Sequence, residues 1–286
     1  MAGETAAISA ATQAPAADAL SAATAGGVAA TSGATQAAHA GLALVFDKVE
    51  YAILVPLVYA AFAFFLIALV ARLAAILRSP GPAYQLAIYP ASRRPFIAAM
   101  RDAFGMPQVR RRDPLFWVFL MCYHAGFLAL ILGHLDILPE INIMPAASRH
   151  MLGAGFVGLM VTVPTFYFLG RRFFGEVRKI STPGDYLLLL LLLFTFLFGD
   201  LMSWGNSWTA SGFVMTKADF AKYFDSLFRF SFADPRSVLH GSHYHFVVIH
   251  VLLAELFLVV LPFTKVMHAF LALPVNALRR RVWKKA

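Results

Sequence analysis

Four histidines sit in two apolar stretches of this 286-residue chain. The first stretch, "CYHAGFLALILGH", covers residues 122–134 and carries His124 and His134. The second, "IHVLLAELFLVVLPFTKVMHAF", covers residues 249–270 and carries His250 and His268. A polar ring in such a run costs free energy unless something binds it. Imidazole nitrogen is a good ligand for iron, and a noncovalently held haem needs no cysteine. The histidines are 10 apart in the first stretch and 18 apart in the second. On helices those separations are about 15 Å and about 27 Å along the axis. Eighteen residues make five whole turns, so His250 and His268 share a face. Ten residues fall about 80° short of whole turns, so His124 and His134 share only a broad one. Gly126 and Gly133 stand beside them and would let a flat macrocycle approach the backbone.

The elements that carry these residues are membrane spans. The chain is 60% hydrophobic, well above a soluble domain, and a span needs about 20 apolar residues. Five runs qualify, at about 51–77, 114–138, 148–170, 185–203 and 243–270. The expected fold is all-α and polytopic. Residues 1–46, rich in Ala, Thr, Ser and Gly, read as a flexible extracytoplasmic tail. Residues 47–274 form the five-span domain, and residues 275–286 a basic cytoplasmic tail.

Charge orients the spans. Arg78, Arg93, Arg94, Arg101 and Arg110–Arg112 fall between spans one and two. Arg171, Arg172, Arg178 and Lys179 fall between three and four, and Arg279–Arg281, Lys284 and Lys285 follow span five. The other links are nearly balanced. The positive-inside rule therefore predicts an outer N-terminus and a cytoplasmic C-terminus. The net charge of +9 is topological and does not mark a nucleic-acid surface.

Spans two and five then run antiparallel. His124 and His268 lie toward the cytoplasm, and His134 and His250 toward the outside. That layout offers two facing pairs, suited to two b-type haems. The unequal axial separations leave about 12 Å to be absorbed by tilt, by slanted haem planes and by a bend at Pro262. The single cysteine, Cys122, excludes an intrachain disulfide, a cysteine-ligated iron–sulfur cluster and c-type haem attachment.

Other polar groups have weaker cases. Glu255 is an acid within a span, about 7.5 Å from His250 along the axis, and is expected in a proton path or a pairing role. His240, His243 and His245 lie near the outer start of span five, where they could relay protons or simply be solvated. His39 is isolated. Asp136 and Asp200 near outer span ends are expected to be solvated. Arg72, Arg112 and Lys265 could meet haem propionates or snorkel. The link 204–242 contains "ADFAKYFDSLFRF", a helix expected on the outer membrane surface or as a lid over the spans.

On "YHAGFLALILGH" and "IHVLLAELFLVVLPFTKVMHAF" the chain resembles the respiratory nitrate reductase gamma-subunit family of dihaem membrane cytochromes b. "FLGRRFFGEVRKISTPGD" and "LPVNALRRR" extend the likeness over roughly residues 48–283. The resemblance implies an outer haem on His134 and His250 and an inner haem on His124 and His268. It implies quinol or menaquinol oxidation near the outer face and electron transfer to a cytoplasmic iron–sulfur subunit of a larger membrane complex. That family has a quinol-binding lysine near the outer start of span three. Here "SRHML" offers Arg149 and His150 instead. The Ala-rich tail and long links also depart from the pattern and favour a relative serving another redox complex, such as a sulfite-reductase-associated or heterodisulfide-reductase-like one. Alternatives are the same path run toward quinone reduction, a proton-conducting transporter without haem, and a haem-binding anchor without electron transfer.

Overall fold

A computed structural model describes residues 39–78, 92–138, 140–141, 143, 155–208, 217–239 and 244–279. All regular structure among them is helical. The chain divides into two compact units, Met1–Glu50 and Tyr51–Ala286. In the first, residues 39–50 are helical, so helix begins inside the expected tail. The rest of that tail lies outside the described residues.

The second unit opens with a π-helical turn, Ile53–Leu57, that leads into α1 (Val58–Arg78). Pro56 lies inside the turn and donates no backbone hydrogen bond, so the ladder is interrupted there. Then come α2 (Pro95–Gly105), α3 (Pro107–Arg112) and α4 (Pro114–Leu135). Each begins on a proline, whose missing N–H costs nothing at a helix start. Asp113 also caps α4 by accepting from the Phe116 N–H at 2.9 Å. The chain continues through α5 (Phe156–Phe174), α6 (Pro183–Trp208), α7 (Lys217–Phe228), α8 (Tyr244–Val260) and α9 (His268–Arg279).

Four stretches among the described residues are long and apolar enough to cross a membrane: His39–Ile76, Pro114–Leu135, Pro183–Trp204 and Tyr244–Phe263. The expected third span, 148–170, corresponds to α5, which is not among them. Arg171 and Arg172 occupy its last turn, and Pro164 and two threonines interrupt its apolar run. Those threonines are served within the protein. Thr165 Oγ1 donates to the Val161 carbonyl at 2.6 Å, and Thr162 Oγ1 donates to Asp200 at 2.7 Å. α5 packs between α4 and α6, α6 packs on α8, and α8 on α1. One apolar centre lies at the His134 end, where Leu54, Val55, Tyr223, Leu227, Val247 and Val248 meet. A second, of Val161, Leu192 and Phe196 with Tyr123 and Phe127, joins α4, α5 and α6.

Three expectations are corrected. The fifth span is not one bent helix over 243–270. α8 ends at Val260, two short 3-10 turns (Leu261–Phe263 and Lys265–Met267) follow, and α9 starts on His268 and packs on α2. Thr264 between the turns is extended, and its hydroxyl accepts from the Val266 N–H at 3.3 Å. Asp136 is not solvated. It is fully buried, and Lys217 Nζ lies 2.8 Å from its Oδ2 while the Ile143 N–H donates to Oδ1 at 2.6 Å. Asp200 is buried too, with its carboxylate against Gly158, where a methyl group would collide with it.

α7 takes the lid alternative. Phe220, Tyr223 and Leu227 are buried against the π turn and α8. The Tyr223 hydroxyl donates to the Leu54 carbonyl, and the Tyr59 hydroxyl to the Leu227 carbonyl at 2.7 Å. The following Phe230 stacks on Tyr59 with ring centres 5.1 Å apart.

Candidate functional site

The four span histidines meet as two pairs. His124 on α4 and His268 at the start of α9 have ring centres 6.0 Å apart, with planes at 68°. His134 near the end of α4 and His250 on α8 have ring centres 6.3 Å apart, with planes at 15°. The pairing is the one that depth-sorting on antiparallel helices predicts. The axial mismatch is resolved by the break at 261–267: His268 does not continue the α8 axis, so its distance from His250 is no longer that of five straight turns.

Each imidazole is oriented through one nitrogen. Nδ1 of His124 lies 2.7 Å from the Leu120 carbonyl, and Nδ1 of His134 lies 2.7 Å from the Leu130 carbonyl. Both bonds reach back one turn within α4. Nδ1 of His268 lies 2.8 Å from the Lys265 carbonyl, in the turn that precedes α9. Nδ1 of His250 reaches across to the Thr195 carbonyl of α6 at 3.0 Å. A carbonyl only accepts, so each Nδ1 carries the hydrogen, and Nε2 is left with its lone pair. A ring N–H given to a backbone carbonyl is the usual way a metal-binding imidazole is fixed.

The spacing fits a metal atom between the rings. Two metal–nitrogen bonds of about 2.0–2.1 Å each, added to the distance from nitrogen to ring centre, separate opposed imidazole centres by about 6.3 Å. The observed 6.0 and 6.3 Å meet that requirement. His134 and His268 are exposed and His124 and His250 half-buried, so no ring is sealed into the apolar core. Among the described residues there is no group of three or more His, Cys, Asp or Glu side chains that could hold a metal ion. A site completed by a macrocycle would need one imidazole from each side, which each pair supplies.

The glycines have different surroundings. Gly126 serves helix packing: a Cβ there would lie 2.6 Å from Met160 Cβ on α5. Gly133 is buried. The glycine that touches a site histidine is Gly199 on α6, where a Cβ would lie 3.2 Å from His250 Cε1. Sequence reasoning missed it because it sits in a different span, in an ordinary apolar run.

Around the pairs, Lys265 Nζ bonds Asp185 at 2.7 Å and Arg72 lies over the Phe263 ring, 5.3 Å from its centre. Arg171 reaches Asp113 at 3.2 Å and covers Phe116 at 4.2 Å, clasping the ends of α4 and α5. Arg112 is exposed. Glu255 is 4% exposed, and among the described residues neither carboxyl oxygen has a hydrogen-bond partner. Arg149, His150, His240 and His243 lie outside the described residues.

A family model described as "Nitrate reductase gamma subunit" matches residues 107–284, a stretch that contains all four paired histidines. A curated relative, the nitrate reductase gamma chain of Bacillus subtilis (strain 168), is 29% identical over 168 residues, covering 55% of this chain and 73% of the relative.

Proposed function

The chain belongs to the nitrate reductase gamma-subunit family, whose members are cytochrome b electron-transfer subunits of bacterial membrane oxidoreductases, and from that premise we propose that it holds two b haems and carries electrons from quinol to a partner subunit. His134 and His250 bind the outer haem, and His124 and His268 the inner one. α5 crosses the membrane as a fifth span, with the N-terminus outside. The single observation that carries the reading is the pair of imidazoles at each level, with ring centres 6.0 and 6.3 Å apart and every Nδ1 held by a carbonyl.

When bound, the haems supply two one-electron carriers at different depths. The protein's own residues do the rest. The carbonyls of Leu120, Leu130, Thr195 and Lys265 hold each ring in the tautomer that leaves Nε2 as the ligand atom. Arg149 and His150, near the outer start of the third span, bind the quinone headgroup, and protons leave on the outer side. The exposed arginines Arg110, Arg111 and Arg112 on α3 face the cytoplasm and receive an iron–sulfur subunit that takes electrons from the inner haem.

A reduced-minus-oxidised spectrum of the purified chain, with a haem-to-protein ratio, tests the reading. About two b haems per chain are expected. His134→Ala or His250→Ala removes one of them, and His124→Ala or His268→Ala removes the other. No haem at all refutes the assignment. Loss of the same haem in His124→Ala and His134→Ala refutes the pairing.

A further inference from the structure

Glu255 is the buried acid that none of the packing explains. It lies on α8 five residues after His250, about 7.5 Å along the axis. Its face is the one that carries Tyr244, Val248 and Val251, at helical spacing, into the apolar centre formed with the π turn and α7. Both carboxyl oxygens are buried there, without a hydrogen-bond partner among the described residues. An isolated carboxylate in such surroundings is strongly disfavoured.

The neighbouring titratable groups do not neutralise it. Tyr223 from α7 feels the charge of Glu255. Burial first, and that charge second, push its phenol well above the ordinary range. Its hydroxyl is committed to the Leu54 carbonyl of the π turn. Tyr59 from α1 gives its hydroxyl to Leu227, and Tyr244 of α8 adds no cation. On α6, Asp200 is bonded to Thr162, and Asp185 to Lys265 of the second 3-10 turn. Arg72 of α1 covers Phe263. None of these groups bonds either carboxyl oxygen of Glu255.

A source of positive charge would lie on the other side of the same helix. Ferric iron and the porphyrin ring between two neutral imidazoles carry a net charge of +1, the propionates apart, and an electron cancels it. The helix between the two sites is about 10–12 Å across, and the medium is apolar, so the two charges interact strongly. We propose that Glu255 is a proton-loading site coupled to electron arrival at the His134–His250 pair. This rests on the reading of that pair as a haem site. When an electron from a hydroquinone reaches the iron held there, Glu255 takes one proton onto a carboxylate oxygen. When the electron moves on to the His124–His268 site, Glu255 returns that proton. Each cycle moves one electron and takes up and releases one proton, with no net change in the carboxyl group.

The test is a redox titration of both haems in membranes holding the full chain, between about pH 6 and pH 8. The outer haem is identified by its loss in His134→Ala. Its potential is expected to fall as pH rises, by up to about 59 mV for each tenfold fall in proton concentration. Glu255→Gln flattens that slope while leaving the inner haem unchanged, and Glu255→Asp keeps it. An undiminished slope in Glu255→Gln, with both haems present, overturns the role of Glu255 alone. Absence of the outer haem from the unsubstituted chain overturns the reading beneath it as well. If Glu255→Gln does not assemble, dicyclohexylcarbodiimide, which attacks protonated carboxyls in apolar surroundings, decides on the unsubstituted chain. Peptide mass spectrometry is expected to find Glu255 modified more in reduced than in oxidised membranes, and equal modification overturns the proposal.

Discussion

Replacing Lys217 by methionine removes the cation from an ion pair in which both side chains are sealed, 3% and 0% exposed, with Nζ 2.8 Å from Oδ2. Removing one member of such a pair costs about 3–5 kcal/mol, because the remaining charge stays buried. Asp136 keeps the Ile143 N–H at 2.6 Å, which puts the expected loss at the lower end, about 3 kcal/mol. That is roughly two orders of magnitude in the population of locally opened chains. It corresponds to a melting temperature lower by about 6–12 °C for a domain of this size. The damage is local. Asp136 follows His134 by two residues at the end of α4, and Lys217 begins α7, so a haem held by the proposed His134–His250 pair is expected to be lost first on heating, before one held by His124 and His268. The assay is thermal unfolding of the purified chain followed at the haem absorption bands. Adding Asp136→Asn, which removes the charge but keeps an acceptor for Ile143, recovers at least half the loss. A Lys217→Met chain that melts within about 1 °C of its parent refutes the claim that this pair holds α7 down.

Two glycines give further predictions. Gly199→Ala puts a methyl 3.2 Å from His250 Cε1, so the ring must give way by a few tenths of an ångström. A shifted spectrum or potential of the outer haem is expected with the inner one unchanged, and identical spectra for both haems count against the packing described. Gly158→Ala drives a methyl into Asp200 Oδ1 and breaks its bond with Thr162. A loss of about 2–3 kcal/mol is expected in thermal unfolding, since a buried charged partner is left unsatisfied. The double substitution with Asp200→Ala restores most of it, and a single variant as stable as the parent contradicts the close approach.

The histidine pairs were legible because three signals in the sequence agree on them. Apolar runs give the spans, loop arginines give their direction, and position within a span gives depth. The acids were misread for a physical reason. Asp136 and Asp200 lie near span ends, where water is the default partner, and nothing local to Asp136 announces Lys217, 81 residues later. Likewise Asp200 depends on Gly158 and Thr162 in a different helix. The bend at Pro262 was visible, but its form was not. Thr264 and the ion pair from Lys265 to Asp185 convert a kink into a change of helix, and both act through tertiary partners that periodicity does not report.

The break between Val260 and His268 also divides the chain mechanically. His250 is steadied by α6 through the Thr195 carbonyl, on an unbroken helix. His268 is steadied by the Lys265 carbonyl, on a turn anchored to Asp185. On the proposed reading, strain applied to α2 and α9, which pack together, would reach the His124–His268 site and be taken up in the turn before His250. A subunit that docked on that end would then retune one haem and leave the other alone.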